Sequence, residues 1–208
     1  MNAIAEKPCV TPQEYLERER RAETKSEYDS GVITPMAPSS INHSRIVVAA
    51  SIHLGVQIAR GYCEAFAVNM KVCISSGDKY YYPDIIVVCG EAQFEKLYPE
   101  SATLLNPALI IEVLSESTER KARNEKRESY ETLDSLTDYV LVSQTEPRIA
   151  HYTRLPNGGW HYNEARGVDA VLALPNIGCE LRLAEVYRRV PFPAIDAPAV
   201  IAPPETAE

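Results

Sequence analysis

The stretch Ala108-Leu109-Ile110-Ile111-Glu112-Val113-Leu114-Ser115 decides the fold. Apolar residues stand at odd and even positions alike, so as a strand it leaves neither face for water and belongs in the middle of a sheet. Glu112 is the anomaly. A carboxylate buried without a partner costs several kcal/mol or is neutralised by a shifted pKa. A second acid sits in a similar run, Tyr82-Pro83-Asp84-Ile85-Ile86-Val87-Val88. Pro83 cannot donate to a sheet ladder, so Asp84 falls where a strand emerges. Lys126 follows Glu112 by fourteen residues, on a stretch with helical character. A divalent cation is the simplest compensation for two such acids, since carboxylate and carbonyl oxygens suit Mg²⁺ or Mn²⁺. Two strand-borne acids and a lysine are the parts of metal-dependent phosphodiester hydrolysis. Each residue also has a plainer reading: Glu112 in a buried ion pair with an arginine, Asp84 facing solvent at a strand entry, Lys126 as a surface lysine.

Outward from these runs the chain reads as one domain over residues 11–190, after a disordered leader (1–10) and before a disordered tail (191–208) with five prolines. Thr11-Pro12-Gln13-Glu14 opens a helix to about Glu23, with Thr as cap, Pro at the first helical position and Glu three residues on. Glu27 to Met36 forms two short strands around Asp29-Ser30-Gly31. Ser39 and Ser40 cap a second helix ending near Gly61, apolar nearly all round and therefore expected to be largely buried. Strands follow at Glu64–Val68, Met70–Ile74 and Tyr80–Val88, with a turn at Ser75-Ser76-Gly77-Asp78. Residues 90–106 connect to Ala108–Leu114. Ser117 or Thr118 caps a helix to about Leu133. Strands at Thr137–Val142, Arg148–Tyr152, Trp160–Asn163 and Ala170–Leu174 and a short helix Ala184–Arg189 complete the order. This is an α/β (α+β) domain, a mixed, curved sheet flanked by helices, with one right-handed crossover over 108–142.

Composition narrows the classes. No apolar run approaches the ~18 residues of a membrane span, and the N-terminus has no basic region followed by an apolar core. Cys9, Cys63, Cys73, Cys89 and Cys179 form no C-x-x-C pair and read as reduced thiols of a cytoplasmic protein. The net charge of −8 works against nucleic-acid binding. Arg120, Lys121, Arg123, Lys126 and Arg127 form a local exception beside the proposed site; the competing reading is a solvated helix face with intrahelical ion pairs. Tyr80-Tyr81-Tyr82 could stack on bases, but alternating strand aromatics read first as packing.

The same residues carry a resemblance. Pro83-Asp84, Glu112-Val113-Leu114-Ser115 and Lys126 resemble the PD-(D/E)XK nuclease superfamily. The fuller set is similar to the Uma family of endonucleases: Glu27-Tyr28 with Gly31, Met36 with His43, Tyr81-Tyr82-Pro83-Asp84, Asn106-Pro107, Ser117-Thr118, and Lys126 with Tyr130. The resemblance implies a restriction-endonuclease-like core with Asp84 and Glu112 as metal ligands, the Val113 carbonyl completing the site, and Glu27 as an acid near the metals that is expected to bind a second one. It implies DNA cleavage leaving a 5′-phosphate and a 3′-hydroxyl. Two positions depart from the pattern. Leu114 stands where the superfamily lysine would be, so Lys126 must supply that charge from the following helix. Ala122 stands where many relatives carry an aspartate. His43, Tyr130, Gln144 and Tyr139 are expected to line the site.

The expectation is a Mg²⁺- or Mn²⁺-dependent DNA endonuclease, cytoplasmic and homodimeric, with Asp84, Glu112 and Lys126 as its catalytic residues. The competing class is a catalytically silent nuclease-fold protein acting in binding or regulation, which Leu114, Ala122 and the acidic charge favour.

Overall fold

The computed structural model describes residues 9–67, 69–74, 77–96, 103–115 and 119–192. The proposed leader (apart from its last two residues), the Ser75-Ser76 turn, the Ser117 and Thr118 caps and the tail beyond Phe192 lie outside them. In chain order come α1 (Pro12–Glu19), β1 (Ser26–Asp29), β2 (Val32–Pro35), α2 (Ile41–Ile58), β3 (Cys63–Ala67), β4 (Lys71–Ile74), β5 (Lys79–Tyr81), β6 (Ile85–Cys89), β7 (Thr103–Leu104) and β8 (Leu109–Leu114). Then follow α3 (Glu119–Lys121), a π-helical turn (Ala122–Lys126), α4 (Arg127–Tyr130), β9 (Asp138–Ser143), β10 (Arg148–Arg154), β11 (Trp160–Arg166), β12 (Val171–Leu174), a 3-10 turn (Pro175–Ile177), β13 (Cys179–Arg182) and α5 (Leu183–Val186).

The central sheet has the order β11-β10-β9-β8-β6-β3, with β8 and β9 parallel and the other pairs antiparallel. The parallel β8–β9 pair is joined through the helical segment between them, as the crossover requires. A second sheet, β2-β1-β5-β4-β7, carries the N-terminal hairpin, and β12-β13 form a small ribbon. The expected strand Tyr80–Val88 is two strands, β5 and β6, in different sheets. Pro83 lies in the break, where a residue without an N–H cannot continue a ladder. The β1–β2 turn places Ser30 and Gly31 at φ 46° and 92°, the twist that a two-residue hairpin loop needs.

β8 is buried along its whole length. Leu109, Ile111 and Val113 join Ile46, Val47, Ala50, Leu54 and Ile58 of α2, with Leu172, Leu181 and Val186, in one apolar layer. Ile110 and Leu114 pack on the other face with Ile86, Val88, Tyr130, Tyr139 and Leu141. Side-chain alternation therefore sends Glu112 into the second layer. α1 is shorter than expected, but its capping box is formed: Glu14 N donates to Thr11 Oγ1 at 3.2 Å and Thr11 N to Glu14 Oε2 at 2.9 Å. α2 starts at the expected Ser40 cap, but only one of its faces is buried. Ile41, Val48, Ile52 and Val56 are exposed, because no described element packs on that side. Cys63 and Cys89 also depart from expectation: they are cross-strand partners on β3 and β6 and form a disulfide, 26 residues apart. Cys9, Cys73 and Cys179 are free thiols.

Candidate active site

The acids meet where β6 begins. The antiparallel β6–β8 register pairs Ile85 with Ile111 and Ile86 with Ile110; one step further, Asp84 comes opposite Glu112. β6 has already ended there, so the Asp84 carboxylate takes the place of a ladder carbonyl: Val113 N donates to Asp84 Oδ2 at 2.7 Å. Asp84 Oδ1 lies 2.9 Å from His43 Nε2, in the first turn of α2. That turn is fixed by Ser40 Oγ, which accepts from His43 N at 3.0 Å. Burial opposes protonation of His43. The hydrogen bond and charge of Asp84 outweigh it, with Glu112 adding, and raise the imidazole pKa.

Lys126 is the centre of the second half. Its Nζ lies 3.0 Å from Glu112 Oε1 and 2.6 Å from Glu27 Oε1, and it is only 8% exposed. The Tyr81 ring lies 5.3 Å below it. Tyr130 donates its hydroxyl to the same Glu112 oxygen at 3.0 Å, so Lys126 and Tyr130, four residues apart, do share a face. Burial pushes the Glu112 carboxyl up, to about 7; Lys126 pulls it back, while the nearby Asp84 and Glu27 charges push it further. Burial alone would lower the Lys126 pKa, but Glu112 and Glu27 hold it above the ordinary lysine value.

The π-helical turn makes this reach possible. In a π turn, residues five apart come onto one side. Lys121 and Lys126 are five apart, and both turn toward Glu27; Lys121 Nζ lies 3.3 Å from Glu27 Oε2. The Tyr139 hydroxyl donates to the Ala122 carbonyl at 3.0 Å, an insertion into the backbone ladder that accompanies such a distortion. Ala122 itself is buried among apolar side chains. Lys121 is a site residue that the sequence reading placed only in a basic surface. The five-residue spacing of two lysines was the available signal, invisible while the segment is read as a regular α-helix.

Two arginines of that basic segment are spent on ion pairs. Arg123 Nε lies 2.7 Å from Glu119 and Arg127 Nη1 2.5 Å from Glu131, both i,i+4 pairs, as the solvated-face reading expected. Gln144 follows β9 and accepts from the Ser40 hydroxyl, at the rim of a cavity of about 410 Å³ with Asn42, Ser115 and Thr145. Tyr139 stands behind Tyr130, ring centroids 5.3 Å apart, and does not reach the acids. Tyr80, Tyr81 and Tyr82 are buried, as packing required.

Among the described residues, no three His, Cys, Asp or Glu side chains are grouped so as to hold a metal. Lys126 pairs with both Glu27 and Glu112, and Lys121 pairs with Glu27. The donor chemistry of the strand-borne pair nevertheless fits a hard cation. Asp84 and Glu112 come opposite one another in the β6–β8 register, both are oxygen donors of the kind Mg²⁺ and Mn²⁺ take, and burial, with the Asp84 and Glu27 charges adding, raises the Glu112 carboxyl.

Residues 12–184 match the Uma2 family, described as "Putative restriction endonuclease". Two uncharacterised proteins of Synechocystis sp. (strain PCC 6803) are similar along most of their length. One is 35% identical over 170 residues, 82% of this chain and 95% of that protein. The other is 33% identical over 185 residues, 89% and 95% of the two chains. The fold is similar to the crystal structure of a protein described as a "putative nuclease belonging to DUF820" from Anabaena variabilis. The TM-score is 0.68 at 18% identity, over 86% of this chain and 97% of that one.

Proposed function

The chain belongs to the Uma2 family of restriction-endonuclease-like proteins, and on that premise we propose that it hydrolyses DNA internally with Mg²⁺ or Mn²⁺. One observation carries the reading: Lys126 Nζ sits 3.0 Å from Glu112, whose strand neighbour Val113 bonds Asp84. A charge donor and two carboxylates thus share one end of β8, although Leu114 leaves the superfamily's usual lysine position apolar. Asp84 and Glu112, with the Val113 carbonyl, would hold the cation, which when bound lowers the pKa of a water and neutralises the scissile phosphate. Lys126 donates to the attacking water or to the charge gathering on the phosphorus oxygens. Glu27, whose other oxygen pairs with Lys121, holds the Lys126 ammonium at that point. Tyr130 fixes the rotamer of Glu112, and His43 fixes that of Asp84 and can carry a proton. We place the protein in the cytoplasm with its DNA, as a homodimer carrying two such sites.

A second reading has its own support: no closed group of three metal ligands exists among the described residues. It makes the protein a silent scaffold whose acids are satisfied by lysines. Nicking of supercoiled plasmid separates the two. The nuclease reading expects cleavage with Mn²⁺ or Mg²⁺, arrest by EDTA, and loss in Asp84→Asn. Equal nicking by wild type and Asp84→Asn marks a contaminant. No cleavage of any DNA or RNA form across several metals leaves the silent scaffold.

A further inference from the structure

α2 has an aliphatic face that nothing in the described structure covers. Ile41, Val48, Ile52 and Val56 are 73, 57, 63 and 76% exposed. Their 7, 4 and 4-residue steps lay them in one stripe along the 18-residue helix. Together they leave on the order of 500 Å² of aliphatic surface open, the top of what the largest patch on a soluble monomer amounts to. The stripe floors a groove of about 750 Å³ whose far wall includes Glu185, Arg188 and Arg189 of the C-terminal segment. The opposite face of α2 is already committed to the sheet through Ile46, Val47, Ala50, Leu54 and Ile58.

We propose that this face of α2 is the surface on which a second copy of the chain docks, the two α2 helices packing antiparallel about a two-fold axis near Val48 and Ala49. A two-fold contact needs a self-complementary patch. The stripe is one. An axis between positions 48 and 49 sets Ile41 of one copy against Val56 of the other, and Arg45, through its aliphatic stem, against Ile52. The small Ala49 then stands where the helices cross, which permits close approach. The area suffices. An 18-residue helix is about 27 Å long. With the flanking groove wall, two such faces bury roughly 600–800 Å² on each copy, above the ~1,000 Å² total expected of a specific interface. Arg45, Arg188 and Arg189 line the groove with Glu185, and arginine stems can lie along apolar surface while their guanidinium groups reach water. The inference deepens the dimer of the reading above but does not depend on its chemistry. It also places the two His43–Asp84 ends of α2 at opposite ends of the paired helices, on separate sites facing outward.

The test uses the full chain in sedimentation equilibrium from about 1 to 100 µM. Wild type is expected to be a dimer, and Val48→Glu and Ile52→Glu to raise the dissociation constant at least 100-fold. Both positions are exposed, so unchanged circular dichroism and melting are expected to accompany the loss. The pair Ile41→Cys and Val56→Cys, mixed as two singly substituted proteins, should form a disulfide heterodimer on mild oxidation. A monomeric wild type at 100 µM, or a dimer whose constant neither glutamate alters, overturns the proposal. So does a wild type that becomes dimeric only when residues 193–208 are removed, which would make that segment the occupant of the groove. Plasmid nicking is scored separately, so an inactive dimer and an active monomer are distinct results.

Discussion

β8 and β9 run side by side, and each buries one carboxylate, Asp138 at the start of the pair and Glu112 in its second half. The register sets Asp138 beside Leu109 and, three pairs further on, Glu112 beside Leu141. Asp138 is wholly buried and surrounded by uncharged donors and an imidazole. His151 Nε2 lies 2.7 Å from Oδ1, while Thr137 Oγ1 at 2.7 Å and Asn176 Nδ2 at 3.1 Å reach Oδ2. Glu112 is surrounded by charge, with Lys126 at 3.0 Å and the carboxylates of Asp84 and Glu27 close enough to push its pKa up. The first arrangement is closed and asks for nothing more. The second gathers three carboxylates and two lysines in the C-terminal half of β8. A buried acid is thus informative through its partners, and burial alone does not separate a structural acid from a functional one.

The largest expected effects break this comparison by changing the carboxylates of each group. Glu112→Gln and Asp84→Asn should each cut plasmid nicking by about 10³-fold or more while melting changes little, since removing one of several crowded charges offsets the lost pairing. Asp138→Ala should do the reverse. It strands His151, Thr137 and Asn176 and should cost about 2–4 kcal/mol, read by urea denaturation, with nicking per folded molecule unchanged. If Asp138→Ala abolishes cleavage in folded protein, the two groups are not functionally distinct.

Lys126→Ala should lower turnover by about 10²-fold, the size of losing one transition-state donor, while Mn²⁺ affinity holds or rises because a competing cation has gone. Full activity in this variant would remove Lys126 from the chemistry. The pH dependence sharpens the contrast further. The Glu112 carboxyl is raised to about 7, so protons compete with the cation below that value. Mn²⁺ affinity should level off about one unit above pH 7 and fall up to tenfold per unit as pH drops below 7, and Glu112→Gln should flatten that limb. A titration flat in wild type between pH 5.5 and 8 contradicts the assignment. The smallest effect is that of Tyr130→Phe, which removes one hydroxyl from Glu112 Oε1. It should reduce nicking severalfold and stability by about 1 kcal/mol.

The parts of the molecule legible in the sequence are those governed by local chemistry. The Thr11 capping box, the Ser40 cap, the Asp29-Ser30-Gly31 turn and the doubly buried β8 all follow from residue type and spacing. Glu112 stood out because no polar neighbour shared its strand. Other features depended on long-range arrangement. The split between β5 and β6 follows from the chain changing sheets at Pro83, which one apolar run does not announce. The half-bare α2 follows from what fails to pack on it, and apolar residues all round a helix read the same whether the partner is the core or another chain. Lys121 escaped notice because its role depends on a π turn, whose Ala122 carbonyl accepts from Tyr139 of a strand distant in sequence. The Cys63–Cys89 bond escaped because it needs the β3–β6 register.

A crystal soaked in Mn²⁺ shows whether Asp84 and Glu112 hold a cation. An anomalous difference peak is expected between the two carboxylates, with ligand oxygens at roughly 2.0–2.2 Å, and Lys126 still bound to Glu27. No peak at that point under saturating Mn²⁺, or a peak confined to other residues, would contradict the proposal.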